Sequence, residues 1–219
     1  VDAVSQSFVE TAADIETVRA AARAMGKEPF IIAKIERSDA LVHFDEILKA
    51  SDGIMVARGD LGVEVPIEEM AILQKQLIAK ASLAGKPVIT ATQMLESMIH
   101  NAVPTRAETS DVANAVWDGS DVVMLSGETS VGEYAIDTVV MMQAILIETE
   151  ANMYLVKNDR VNKPLTVEQT VFDSVGRALA SMAEQLRVEA VVSFTRTGRM
   201  AKAMSKFRPL TSIVAMSDS

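Results

Sequence analysis

The stretch SDGIMVARGDLGVEVP (Ser51–Pro66) joins a short apolar run to the polar sequence Arg-Gly-Asp. The run Gly53–Gly59 predicts a β-strand that is nearly continuous in apolar residues, as strands are when helices cover a parallel sheet. Asp60 follows directly and places a carboxylate at the predicted strand end. A helical pattern begins at Ile67, so the stretch predicts one βα unit with a polar group at its junction.

Four similar apolar runs recur along the chain, roughly 23 to 34 residues apart, which suits consecutive βα units. The five predicted strands are Ala3–Phe8, Phe30–Glu36, Gly53–Gly59, Pro87–Gln93 and Asp121–Glu128. The clearest helical patterns between and after them are Thr11–Met25, Ile67–Ala84 and Ala135–Glu150. This succession predicts an α/β protein, built either as a (β/α)8 TIM-type barrel or as a doubly wound sheet.

Polar residues crowd at the C-terminal ends of the predicted strands, and this distribution favours the barrel. A barrel enzyme assembles its site from strand ends on one face. The dinucleotide-binding fingerprint and the P-loop are both missing from the sequence. The strand-end residues are Lys34, Glu36, Asp60, Thr92, Gln93, Ser126 and Glu128.

A second α/β unit is predicted after Glu150, where the composition changes. Val156–Thr166 is rich in charged residues and Asn and contains Pro164, which predicts a linker. The βα alternation then resumes at Val167–Leu186 (helix), Ala190–Thr195 (strand), Arg199–Phe207 (helix) and Thr211–Met216 (strand). We predict a barrel part at residues 1–155, a linker at 156–166 and the start of a second domain at 167–219. Because both ends of the chain fall beside strand-like patterns, we expect it to be a piece of a longer protein.

The composition excludes several classes of function. With 21 Lys+Arg, 30 Asp+Glu and 4% aromatic residues, the chain is a poor candidate for binding nucleic acid. It contains no cysteine, which excludes a disulfide scaffold and a thiolate zinc site. No charge-free apolar run reaches about 18 residues, so no membrane span is expected. An acidic protein that binds an anionic substrate must do so locally, through a metal ion, a lysine or backbone amides.

Lys34 and Glu36 are two residues apart in a predicted strand, so their side chains face the same way. They form either a plain salt bridge or part of a site. Asp60 adds a second carboxylate at a neighbouring strand end, and two carboxylates with few other protein ligands are typical of Mg²⁺ or Mn²⁺ sites. Gly59 lets the backbone approach a ligand closely, although Gly-Asp is also common in turns that cap helices.

The other strand-end residues are ambiguous from the sequence alone. Thr92 suits the rim of a site and serves equally well as a helix cap. Ser126 and Glu128 fit a turn with an N-cap at Ser126 or Thr129 slightly better than a catalytic role.

Five long motifs closely resemble the pyruvate kinase family, in their order and spacing as well as in their residues. The resemblance covers the whole chain and is strongest over Val1–Glu150. The motifs are IIAKIE (Ile31–Glu36), SDGIMVARGDLGVEVP (Ser51–Pro66), GKPVITATQMLESM (Gly85–Met98), PTRAETSDVANAV (Pro104–Val116) and LSGETSVGEY (Leu125–Tyr134).

The resemblance implies a central (β/α)8 barrel with an inserted lid, followed by an α/β C-terminal domain that carries an effector site. This chain would then hold strands 4–8, the C-terminal half of the catalytic barrel, and the truncated start of the effector domain. The implied activity is transfer of the phosphoryl group of phosphoenolpyruvate to ADP, giving pyruvate and ATP in the last step of glycolysis. The family also implies a cytoplasmic, allosteric homotetramer without nucleic-acid or membrane partners.

The resemblance also implies roles for individual residues. Lys34 matches the catalytic lysine, Glu36 and Asp60 match the ligands of Mg²⁺ (or Mn²⁺), and the family's K⁺ ligands would lie outside this chain. Gly59 and Asp60 match residues whose backbone amides receive the substrate carboxylate, and Thr92 matches a residue near the enolate face that is protonated. Ser126 and Glu128 match a possible proton relay, and Ser7 and Phe8 match residues beside the phosphate. Arg106 matches an arginine at a subunit interface.

The segment Thr195-Arg196-Thr197-Gly198-Arg199 joins a predicted strand to a predicted helix. Its hydroxyls and backbone amides at a helix start suit a phosphate, and the resemblance implies the effector phosphate there. Met200 departs from the Ser or Thr that is common in the family, so a plain strand-to-helix turn remains the alternative.

Two other functions stay open at this point. Carbon–carbon lyases on related barrels also hold Mg²⁺ with a Glu and an Asp at successive strand ends and also form a pyruvate-like enolate. Lys34, two residues before Glu36, and the motif ATQMLESM favour the kinase. The chain is alternatively a non-catalytic fragment with a role in assembly or regulation.

Overall fold

The computed structural model describes residues 1–153 and 171–218. These residues divide into two compact units, the first holding a five-stranded sheet and the second a two-stranded sheet. The strands are β1 (Ala3–Gln6), β2 (Phe30–Ile35), β3 (Gly53–Ala57), β4 (Val88–Ala91), β5 (Val122–Met124), β6 (Ala190–Phe194) and β7 (Ser212–Met216). All paired neighbours are parallel.

The first sheet has the order β1-β2-β3-β4-β5, so neighbours in the sheet are also neighbours along the chain. Parallel crossovers are almost always right-handed, and a sequential order therefore places the connecting helices on one face. A doubly wound sheet instead reverses its order partway and has helices on both faces. The observed order is that of a barrel segment.

The helices fill the connections between strands. They are α1 (Ala12–Ala24), α2 (Ser38–Val42), α3 (Phe44–Ala50), α4 (Arg58–Glu64), α5 (Met70–Leu83), α6 (Arg106–Asp118), α7 (Gly127–Ser130), α8 (Ala135–Ala151), α9 (Val171–Leu186) and α10 (Arg199–Ser205). Two 3₁₀ turns lie at Ile67–Glu69 and Glu96–Ile99.

Side chains at the first turns define where the crossover helices α1 and α6 begin. Thr11 and Asp14 form a capping box at the start of α1, in which backbone amides donate to the Asp14 carboxylate. Thr105 and Glu108 form the corresponding box at the start of α6. Each box satisfies backbone N–H groups that a helix start leaves without intrahelical partners.

The predicted strands and helices are present, with differences at their ends. The strand predicted at Gly53–Gly59 stops at Ala57, because Arg58 already begins α4. The helix predicted from Ile67 opens with a 3₁₀ turn and becomes α-helical at Met70.

The core of the first unit lies on the helix-covered side of its sheet. Every residue of β3 is buried, as expected for a central strand of a covered parallel sheet. In β2, burial alternates, with Ile31, Ala33 and Ile35 fully buried and Lys34 between them on the other face. A second apolar cluster joins the chain after β4 to α6 and α8 through Met94, Leu95, Met98, Val112, Ala115, Met142 and Ile145.

The second unit packs α9 and α10 against each other beside the β6–β7 pair. A Cβ at Gly176 would lie 2.8 Å from the carbonyl carbon of Ala203, so this glycine allows the two helices to approach closely. Lys206 pairs with Asp173 at 2.7 Å. The predicted linker at 156–166 and residues 167–170 of the predicted helix lie outside the described residues, and the domain boundaries stay a prediction.

Within residues 1–153 and 171–218, no helix has the length and apolar character needed to cross a membrane.

Candidate functional site

A charged cluster lies at the C-terminal end of β2. The ammonium Nζ of Lys34 is 2.5 Å from Oε1 of Glu36 and donates to Oγ of Ser7, beyond the end of β1, at 3.0 Å. The side chain of Glu36 is only 1% exposed, whereas that of Lys34 is 24% exposed. The lysine therefore presents a charge to solvent while it neutralises a buried carboxylate.

The second oxygen of Glu36 is also engaged. Oε2 accepts a hydrogen bond of 2.7 Å from the backbone amide of Phe8, a residue with a positive φ of 53°. A buried carboxylate requires such partners, because an unpaired charge is costly away from water. Glu36 thus joins the ends of β1 and β2, with Ser7, Phe8 and Lys34 around it.

A second cluster joins the ends of β3 and β4. The backbone amide of Gly59 donates to Oγ1 of Thr92 at 2.7 Å, and this hydroxyl donates to the carbonyl of Ala91 at 2.6 Å. A Cβ at Gly59 would lie 3.3 Å from Thr92 Oγ1, so glycine permits the close approach of α4 to Thr92.

The turn that carries Thr92 is strained. Thr92 and Gln93 have φ values of 68° and 53°, in the left-handed region that a β-branched residue rarely adopts. Each such conformation costs about 1–3 kcal/mol and persists only where the surroundings hold it. Arg58 supplies part of that support, since its guanidinium donates to the carbonyls of both residues.

Asp60 lies in the first turn of α4, directly after Gly59, and its side chain is exposed. β2 and β3 are paired with Ile35 beside Val56, so Glu36 and Asp60 follow neighbouring strands. Both offer carboxylate oxygens, the donor type that Mg²⁺ and Mn²⁺ prefer. Among the described residues, no group of three or more acidic or histidine side chains forms a ready-made metal site. The described residues thus offer two carboxylates after neighbouring strands, and cation binding by them is a proposal made below.

Glu128 lies apart from both clusters and is fully buried. Its Oε1 accepts from the amide of Leu95 at 3.1 Å, and its Oε2 accepts from the amide of Ser126 at 2.8 Å. These contacts tie the chain after β4 to the chain after β5. The proton-relay role of Ser126 and Glu128 stays a prediction, and the observed contacts give Glu128 a structural task.

Arg106 is the first residue of α6 and is exposed, and its predicted interface role is not tested by the described contacts. The same helix start holds Glu108, whose carboxylate accepts from the amide and hydroxyl of Ser97 at 2.7 and 2.5 Å and from Thr105. Burial raises the pKa of Glu108, but the hydrogen bonds from Ser97 and Thr105 outweigh it, and the pKa lies below its ordinary value of 4.5.

In the second unit, the predicted effector segment forms a tight turn between β6 and α10. The amide of Gly198 donates to Oγ1 of Thr195 at 2.9 Å, and Gly198 has a φ of 71°. One of the two hydroxyls is therefore used within the turn. The phosphate-binding role of Thr195, Arg196, Thr197, Gly198 and Arg199 stays a prediction.

The sequence analysis assigns no role to Arg58 or Asp111, although the structure joins them at 2.5 Å beside Thr92. The position of Arg58, directly before Gly59 and Asp60, is the one signal that the sequence offers. A cavity of about 410 Å³ lies next to Arg58 and is lined by residues of α5 and α6, away from Lys34 and Glu36.

Comparison with known proteins follows the division into two units. A model described as "Pyruvate kinase, barrel domain" matches residues 1–139, and one described as "Pyruvate kinase, alpha/beta domain" matches residues 173–219. The chain is 47% identical to a pyruvate kinase of Rattus norvegicus over 100% of its length and 38% of that protein. It is 46% identical to the pyruvate kinase of Geobacillus stearothermophilus, covering 99% of this chain and 37% of that protein.

A solved structure agrees with these matches. The crystal structure of a pyruvate kinase from Cryptosporidium parvum superimposes with a TM-score of 0.87 at 40% identity, covering 100% of this chain and 46% of that chain. The fold and the strand-end residues thus define an α/β protein of the TIM-barrel class with a following α/β domain, as predicted. The chain belongs to the pyruvate kinase family. It spans less than half the length of these relatives.

Proposed function

We propose that the protein containing this chain transfers the phosphoryl group of phosphoenolpyruvate to the β-phosphate of ADP, giving pyruvate and ATP. The observation that carries the proposal is the position of Lys34, whose ammonium is held at the strand ends by Glu36 and Ser7. Membership of the pyruvate kinase family supports it. Because the chain covers only part of its relatives, the activity belongs to the longer protein.

Lys34 supplies positive charge where negative charge moves during the reaction. The bond between the phosphorus and the enol oxygen breaks, its electron pair stays on the enolate oxygen, and the phosphoryl group passes to ADP. A fixed ammonium stabilises both the transferring group and the enolate, and such charge counts most in the transition state. The ion pair with Glu36 keeps Lys34 in place before substrate arrives.

Glu36 and Asp60 would hold Mg²⁺ or Mn²⁺. When bound there, the cation would neutralise anionic oxygens of the substrate and help to orient them. The exposed carboxylate of Asp60, which follows the strand paired with that of Glu36, supports this assignment. A need for K⁺ is part of the proposal, with ligands outside this chain.

Gly59, Asp60 and Thr92 would complete substrate binding and the final protonation. The backbone at the start of α4 would receive the substrate carboxylate, since a helix start presents unpaired N–H groups to an anion. Thr92 would lie near the enolate face that takes a proton at carbon, with its hydroxyl oriented by Gly59 and Ala91.

The assembly and location follow from the family in this proposal. We infer a cytoplasmic homotetramer, with Arg106 at a subunit interface and Thr195–Arg199 at an effector phosphate. In the full-length protein, Thr195→Ala/Thr197→Ala should abolish activation by sugar phosphates and leave the basal rate unchanged. Activation that persists in this variant would favour a plain turn.

The central test is formation of ATP from phosphoenolpyruvate and ADP by the full-length protein, compared with the 219-residue chain alone. We expect turnover typical of enzymes, on the order of 10 per second or more, only for the full-length protein. The described sheet is open, with β1 and β5 at its edges, and a closed barrel needs more strands. Full turnover by the 219-residue chain would contradict the proposal that it is a partial barrel. Cleavage of a carbon–carbon bond without ATP formation would indicate the lyase instead.

A further inference from the structure

We propose that Arg58 is a positioning residue for Thr92, which sets the hydroxyl of Thr92 for protonation of the enolate. The inference rests on the role proposed for Thr92 and adds the residue that holds it. Arg58 is neither a ligand of substrate nor a proton donor in this proposal.

The guanidinium of Arg58 binds the backbone of the turn after β4. Nε and Nη2 donate to the carbonyl of Thr92 at 3.2 and 2.8 Å, and Nη2 donates to the carbonyl of Gln93 at 3.0 Å. Charged donors make stronger hydrogen bonds than neutral ones. The side chain of Arg58 is only 10% exposed. Its two hydrogen bonds to the Thr92 carbonyl are partly buried, whereas the one to the Gln93 carbonyl is exposed.

The two carbonyls belong to residues that the chain would not place in this conformation unaided. Thr92 and Gln93 both have a positive φ, and Thr92 is β-branched. A strained turn keeps its conformation only when its surroundings over-determine it. Arg58 binds both strained residues at once, and the direction of the Thr92 hydroxyl depends on that backbone conformation.

The guanidinium is itself held on its far side. Nη1 lies 2.5 Å from Oδ2 of Asp111 on α6 and 3.4 Å from Oε1 of Gln74 on α5. All three guanidinium nitrogens of Arg58 therefore have partners. Binding these partners at the same time requires the planar guanidinium group, with its several N–H donors in fixed directions. The result is a chain of contacts from α6 through Arg58 to Thr92.

The position of Arg58 in the sequence strengthens the inference. Its backbone opens α4 directly before Gly59, whose amide donates to Thr92 Oγ1 at 2.7 Å. Thr92 is thus held through its carbonyl by the side chain of one residue and through its hydroxyl by the amide of the next. A shift of about 1 Å at such a group is enough to cost about 100-fold in rate.

The experiment measures proton exchange at the methyl carbon of pyruvate in the full-length protein, by NMR in deuterated water, together with steady-state kinetics. Arg58→Lys keeps the positive charge but lacks the planar guanidinium group with its several N–H donors. We expect it to lower exchange about 10-fold or more while the KM for ADP stays unchanged. In the Thr92→Ala background, the same change should lower exchange less than about 2-fold, because residues that act through one another are not additive.

Arg19→Lys is the matched control. Arg19 is 19% exposed and donates to the carbonyl of Ala50 and to Asp52, so it is also an arginine that binds a backbone carbonyl and a carboxylate. Arg19 lies in α1, and its partners Ala50 and Asp52 precede β3, at the opposite ends of the strands from Thr92. We expect Arg19→Lys to change the melting temperature as much as Arg58→Lys does, with normal exchange. If Arg58→Lys folds poorly, Asp111→Asn tests the same chain of contacts and should lower exchange in the same direction.

The outcomes separate this inference from the proposed function. Two results would overturn the positioning role alone. One is that Arg58→Lys lowers exchange by the same factor in the wild-type and Thr92→Ala backgrounds. The other is that Arg19→Lys lowers exchange as much as Arg58→Lys does. Normal exchange in Thr92→Ala would overturn the role of Thr92 and this inference with it. Loss of ATP formation from Lys34 substitution, measured separately, bears on the phosphoryl-transfer function and not on Arg58.

Discussion

The ammonium of Lys34 and the carboxylate of Glu36 form a 2.5 Å ion pair in which the carboxylate is almost completely buried. The two residues are separated by Ile35 alone, so strand alternation brings their side chains to the same face. A buried carboxylate without a counter-charge would be strongly destabilising. Glu36 therefore holds Lys34 in place, and a change at either residue removes the ionic partner of the other.

Lys34→Met in the full-length protein should lower turnover by several orders of magnitude, with a much smaller change in the KM for phosphoenolpyruvate. The reason is that the charge acts mainly in the transition state. Steady-state kinetics measure both constants, and a melting curve checks that the unpaired Glu36 has not unfolded the protein. Lys80→Met removes a surface lysine that pairs with Asp45 and should leave both constants unchanged. Near-normal turnover in Lys34→Met would remove Lys34 from the mechanism.

Glu36→Gln and Asp60→Asn should each raise the Mg²⁺ concentration needed for half-maximal activity and weaken Mn²⁺ binding in calorimetry. An amide is a poorer ligand than a carboxylate for these cations. Glu64→Gln is the matched control, because Glu64 lies in α4 with Asp60 but contacts Ser38 instead. Titration curves that do not move in either variant would show that these two carboxylates are not ligands.

Gly59→Ala and Gly62→Ala place the same methyl group at two positions of α4 and should have opposite effects. At Gly59 the methyl would lie 3.3 Å from Thr92 Oγ1, so we expect weaker phosphoenolpyruvate binding and slower turnover. At Gly62 the nearest atom is Met70 Cγ at 3.9 Å, and alanine should stabilise the helix by about 0.5–1 kcal/mol without affecting kinetics. Kinetics and melting temperatures of both variants test this, and equal kinetics would place Thr92 and Gly59 outside the site.

Glu108→Gln should destabilise the protein at pH 7 by about 1 kcal/mol, because it weakens the cap of α6. The folded state lowers the pKa of Glu108, so its contribution to stability is present above the ordinary value of 4.5 and is lost as the pH falls through the lowered pKa. The difference in melting temperature between wild type and variant should therefore keep its pH 7 value until the pH approaches 4.5 and shrink as the pH falls further. Glu16→Gln, an exposed change on α1, should give no such trend. A difference that stays constant with pH would contradict the assigned hydrogen bonds.

The succession of elements is predictable because it depends on local patterns. Each of the seven strands in residues 1–153 and 171–218 lies within a predicted run, since buried parallel strands are short apolar segments with turn residues around them. The ends are less predictable. β3 stops two residues early because Arg58 already begins α4, and the hydrogen bond from Arg58 to the carbonyl of Thr92 is not visible in a local pattern.

The candidate site divides in the same way. The sequence predicts Lys34, Glu36, Asp60 and Thr92 as candidates because polar residues at the ends of buried strands are exceptional and collect on one face of a barrel. The same pattern predicts Glu128 as a candidate. It does not predict the contacts that the buried carboxylate of Glu128 makes with two backbone amides. Whether a strand-end carboxylate faces a ligand or a neighbouring loop depends on how the loops pack.

The order of strands and helices, the family and the residue types at the strand ends follow from the amino-acid sequence alone, because periodicity and motif order are properties of neighbouring residues. Which donor meets which acceptor depends on the tertiary structure. Arg58 reaches the carbonyl of Thr92 across 34 positions of chain, and Glu128 reaches the amide of Leu95 across 33. Such pairs form because parallel strands bring distant segments together at one edge of the sheet, where buried polar groups must find partners.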